Sequence, residues 1–78
     1  MPDRATQDRH LEEAERHIVR GLELMSDVRL AIERAEPGGA NVGAASRTLA
    51  VMAEVMVSFE AHRDLIKRTL AEIDAGKL

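Results

Sequence analysis

The chain reads as an all-α protein, an antiparallel two-helix hairpin (αα-hairpin) expected to dimerise into a four-helix bundle. Three observations predict it. One cluster of helix breakers, Glu36-Pro37-Gly38-Gly39-Ala40-Asn41, divides the 78 residues into two long segments. Each segment repeats apolar residues at helical spacing, and no stretch alternates apolar and polar residues as a half-buried strand would. Hydrophobic residues at 45% against charged residues at 32% suit a folded chain rather than a disordered one.

The first helix is predicted over about residues 4–35 and the second over about 42–75, with the turn at 36–41, all within one domain, 1–78. Asp3 or Thr6 can cap the first start, because a short oxygen-bearing side chain satisfies the free N–H groups of a first turn. Pro37 disfavours helical geometry at Glu36, and the two glycines supply left-handed or otherwise unusual backbone angles. Asn41 is the expected N-cap of the second helix, and Gly76 with Lys77 suits its end.

Heptad rows define the seam between the helices. In the first helix Leu11, Ile18, Met25 and Ile32 recur every seven residues, and Ala14, Gly21, Val28 and Ala35 form a smaller second row. In the second helix the rows are Val42, Leu49, Met56, Arg63, Leu70 and Ala45, Met52, Phe59, Ile66, Ile73. Folding the chain at Gly38-Gly39 sets Leu11 opposite Ile66, Ile18 opposite Phe59, Met25 opposite Met52 and Ile32 opposite Ala45. The same register sets Gly21 under Met56 and Val28 against Leu49. Glycine inside a helix costs about 1 kcal/mol relative to alanine. Close packing beneath Met56 offsets that cost; a kink is the other reading of Gly21.

The second helix carries more apolar surface than one seam can use. Val51, Val55 and Leu65 share a stripe with Ser58 and His62, while Ala50, Ala53, Val57 and Ala61 form another. Between Leu49 and Phe59 only Glu54 is charged, the pattern of a helix buried on more than one side. A chain this short also has little core of its own. Val51, Val55, Val57 and Leu65 are therefore the expected oligomer or partner interface. A second copy is the favoured occupant, which would form a two-fold four-helix bundle. A different helical protein laid on the second helix is the alternative, which would make the chain an inhibitor or antitoxin-like regulator.

Site chemistry has few candidates. His10 and His17 are seven residues apart on one helix, about 10 Å along its axis, too far to share a metal ion. Across the hairpin His17 faces His62, and Glu13 lies one turn before His17. His17, His62 and Glu13 thus form a candidate transition-metal site or a pH-responsive pair, though the Glu-x-x-His pattern of di-iron bundles is missing. Arg63 interrupts an apolar row opposite Ala14 and is expected to reach Glu13 or Glu15. Met25, Met52 and Met56 read as adaptable core filler. Ser26, Ser46, Thr48 and Ser58 are read as lacking a histidine that serves as their base on the same helix, and no glycine-rich phosphate loop is present. A non-enzymatic protein without a cofactor is expected.

Charge bears on partners. Residues 1–36 hold six Arg against nine Asp plus Glu, and residues 37–78 hold five basic against five acidic residues, for a net charge of −3. An acidic first half argues against binding a phosphate backbone, and one aromatic residue offers no stacking platform for single strands. The absence of cysteine excludes disulfides and thiolate chemistry. The start, Met1-Pro2-Asp3-Arg4, lacks the apolar run of a signal peptide. Leu49–Phe59 falls short of the ~20 apolar residues that span a bilayer. A soluble, cytoplasmic protein with no nucleic-acid or membrane partner is the expectation.

The stretch from His10-Leu11-Glu12-Glu13 through His17-Ile18-Val19-Arg20-Gly21, with the later His62-Arg63-Asp64-Leu65-Ile66, resembles a group of short bacterial proteins. Those open on a His…His-Ile…Gly pattern and close on His-Arg. The resemblance covers both helices and implies a helical hairpin; it implies no activity, cofactor or site residue.

Overall fold

The computed structural model describes residues 3–35 and 37–77, apart from the side chain of Ala40. Two helices account for nearly all of it: α1, Arg4–Arg34, and α2, Ala40–Asp74. They pack side by side along their length as the hairpin the sequence predicts, a rod of 57 × 15 × 14 Å.

Each helix end has a local cause. Asp3 is the N-cap of α1; its carboxylate accepts from the backbone N–H of Thr6 at 3.3 Å and from the Thr6 hydroxyl at 3.0 Å. Thr6 is thus the capped residue, not the cap. Beside it, at the same end of the rod, α2 closes on a Schellman motif. Gly76 takes φ +73, its N–H bonds the carbonyl of Ile73 at 3.0 Å, and the Lys77 N–H bonds that of Glu72 at 2.9 Å. Arg4 and Asp74 join the two ends through an ion pair, which lifts the Arg4 guanidinium above its ordinary range through the hydrogen bond and the charge of Asp74.

The turn corrects two expectations. Gly38 is left-handed at φ +80, but Gly39 is extended at φ −62 and serves as the N-cap of α2 without a side-chain bond. Asn41 lies inside the helix and caps nothing, because α2 begins at Ala40. The expected effect of Pro37 on Glu36 falls outside the described residues.

Among the described residues six are buried, all on the heptad rows. Ala14, Ile66 and Leu70 form one cluster with Leu11 packed against it. Ile18, Met25 and Met56 form a second, flanked by Leu49, Met52 and Phe59. α1 runs unbroken through Gly21, and Met56 covers it so closely that a Cβ there would collide with the Met56 sulfur. Nearer the turn, Val28, Ile32, Val42 and Ala45 are only half-buried. The core therefore thins from the termini toward the turn.

Candidate functional site

The feature with most to offer is an apolar groove along one flank of the hairpin. Its floor is Gly21, Met52, Met56 and Phe59, and its walls are Leu24 of α1 and Val51 with Val55 of α2. It encloses about 210 Å³, and its lining carries no charged side chain. Shallower hollows continue it in both directions. One runs along α2 past Thr48 to Ala44 and Arg47; the other runs along α1 to His17 and Arg20. Gly21 makes the groove possible, since the missing Cβ lets Met56 sink toward α1 and leaves a trough between Leu24 and Val55.

The walls face solvent. Val51 is 58% exposed and Val55 42%, while Leu24 adds a third large apolar side chain. Val57 and Leu65, the other two expected interface residues, are also exposed but do not line the groove. By heptad position Val57 sits on the opposite flank, and Leu65 lies beyond the groove's end on the same one. The remaining seam candidates, Leu11, Ile18, Met25, Ile32, Leu49 and Ile66, are buried or half-buried between the helices.

Sequence reasoning missed the contribution of α1. Val19, Leu22, Leu24 and Leu30 are all exposed there, in a helix read as acidic on its outside. The signal for Leu24 was present: it lies seven residues after His17, on the row that flanks the seam and faces the Val55 row.

The polar candidates are not gathered into a site. Among the described residues no group of three or more His, Asp or Glu side chains is placed to hold a metal ion, so His17, His62 and Glu13 are not a ligand set. The ring of His17 instead lies against Phe59, with centroids 5.8 Å apart and planes tilted by 38°. Arg63 does not cross to Glu13 or Glu15. Its Nε donates to the Asp64 carboxylate at 3.0 Å on its own helix, where the head stays hydrated and the stem half-buried.

α2 has one further property. Within Asn41–Asp74 an 18-residue window reaches a mean hydropathy of 1.3, long and apolar enough to cross a membrane, and only 6% of that window is buried in the hairpin. The expectation from Leu49–Phe59 alone undercounted this helix, because small and weakly polar residues before Leu49, such as Ala44, Ala45 and Thr48, extend the run. Length and composition are weak evidence for insertion on their own.

No protein-family model matches the chain, and no curated protein or solved structure shows significant similarity to it.

Proposed function

We propose that the chain is a non-enzymatic, self-associating helical-hairpin interaction module of the soluble phase, and that the groove flank is where a second copy docks. The observation that carries this is the exposed surface. The rod exposes 5721 Å², whereas a compact folded chain of 8.6 kDa exposes about 4,700 Å². The excess of about 1,000 Å² is close to the ~800 Å² that each partner of a standard interface buries. Leu24, Val51 and Val55 lie in the middle of the face that would be covered, with the trough between them to receive apolar side chains.

Membrane insertion accounts for the apolar surface of α2 less well. Arg47 and Glu54 interrupt that surface, and each charge near a bilayer centre costs roughly 2.5–3.5 kcal/mol. The charged helix α1 is also packed along α2. Kinship with short bacterial helical-hairpin proteins belongs to the same proposal.

Solution mass of the wild type and of Val51→Glu/Val55→Glu tests it. Self-association predicts a wild-type mass of at least twice that of the chain, falling to one chain in the double variant. A monomeric wild type that floats with anionic lipid vesicles would overturn the proposal in favour of the bilayer, and one that ignores them would overturn it outright.

A further inference from the structure

Resting on the self-association just proposed, we infer that the groove flank is occupied by a second copy in one particular arrangement. The two hairpins dock about a two-fold axis beside Leu24, α1 against α1 and α2 against α2, antiparallel, with their turns at opposite ends.

The charges on this flank carry the inference. On α2 the exposed rows beside the groove are Ala44, Val51, Ser58 with Thr48, Val55, His62, and none of them is Asp, Glu, Lys or Arg. On α1 the row beside the groove is His17, Leu24 and Ala31. Just outside it runs Glu13, Arg20, Asp27, Arg34, seven residues apart, all exposed, with alternating sign. Such a row is its own complement when laid antiparallel on a copy of itself. Centred between Arg20 and Asp27, it sets Arg20 of one copy opposite Asp27 of the other and Glu13 opposite Arg34. A two-fold axis makes every such pair twice. The same centre falls beside Leu24, at the middle of the groove, so the apolar and the charged patterns select one axis.

The other closed arrangement, with both turns at one end, lays α1 on α2. It sets the charged row over Ala44, Val51, Ser58 and Leu65, where four ions per copy would lose water without gaining a counter-ion. In the antiparallel arrangement the uncharged rows of α2 beside the groove cover their own copies, with Arg47 and Glu54 on the next row out, and the α1 charges meet opposite charges. Pairs at the rim are weak individually, so they fix direction and register, while the groove supplies affinity. Nothing in the hairpin opposes this use of the row. Among the described residues Glu13 and Asp27 make no ion pair, and Arg20 touches Glu23 of its own helix at 3.4 Å with both side chains exposed.

The chain has no cysteine, so thiol cross-linking is clean. Arg20→Cys mixed with Asp27→Cys should give cross-linked dimer with a short bismaleimide. Each variant alone should give little, because equivalent positions then lie about 10 Å apart along the axis. Arg20→Cys mixed with Ser58→Cys should also give little. If that last mixture cross-links and the first does not, while the mass stays dimeric, the arrangement is overturned and self-association stands; a monomeric mass overturns both. Charge reversal gives a second reading. Arg20→Asp and Asp27→Arg should each weaken dimerisation about ten-fold, and the double variant should restore it. Equal or greater loss in the double variant would overturn the pairing.

Discussion

Gly21 and Met56 show how much one residue decides. The Cβ of Gly21→Ala would strike the Met56 sulfur, and the thioether would have to move out of the seam. Alanine gains about 1 kcal/mol of helix propensity, but overpacking typically costs 1–3 kcal/mol. The net expectation is a loss of about 1 kcal/mol, seen as a lower melting temperature at fixed concentration; a higher one would mean Met56 yields freely. Asp3→Ala removes the carboxylate that caps α1 and should cost about 1 kcal/mol by the same measurement. The Arg4–Asp74 pair behaves differently. Because Asp74 raises the guanidinium above its ordinary value, the contribution from Arg4 is fully present below that range and fades only in strong alkali. Arg4 therefore adds no slope to stability near neutral pH.

At the scale of the element, the two helices were legible because each long segment repeats apolar residues every three or four positions around one strong breaker. The details of the turn were not. Gly, Ala and Asn at 39–41 are each compatible with a helix start, and the choice of Gly39 over Asn41 as the cap depends on where the chain leaves Gly38. Arg63 was misjudged for a related reason: a neighbour on its own helix, Asp64, is nearer than a carboxylate across the seam, and proximity on one helix leaves no trace in heptad spacing. The groove was half legible. Val51 and Val55 stand out in an apolar helix, whereas Leu24 stands among charges and beside a seam residue, so it announces itself only once the two helices are paired. Two element-level outcomes follow. Amides of Ala45–Leu49 should exchange with deuterium faster than those of Phe59–Leu70, because the core thins toward the turn. Gly76→Ala should cost about 1 kcal/mol, since only glycine takes the left-handed angle of that cap without strain. Uniform exchange along α2 would contradict the first, and an unchanged melting temperature the second.

For the whole molecule the governing fact is shape. A rod of two helices has one internal interface and much exposed apolar surface, and the six residues buried among those described form two small clusters. A domain of this size seldom has stability to spare. Docking on the groove flank would convert surface that costs solubility into a second core. It would do so on the groove flank, where the charges beside the trough are confined to α1. The opposite flank also exposes Val19, Leu22 and Val57 but carries charges on both helices, Glu15 and Arg29 on α1 and Glu60, Asp64 and Lys67 on α2. That asymmetry separates a specific assembly from general stickiness. The most direct test is light-scattering mass for the wild type, Val55→Glu and Val57→Glu, with concentration from refractive index because the chain lacks Trp, Tyr and Cys. A dimeric wild type, a monomeric Val55→Glu and an unchanged Val57→Glu is the predicted result. A wild type of single-chain mass, or a Val57→Glu that dissociates as readily as Val55→Glu, would contradict it.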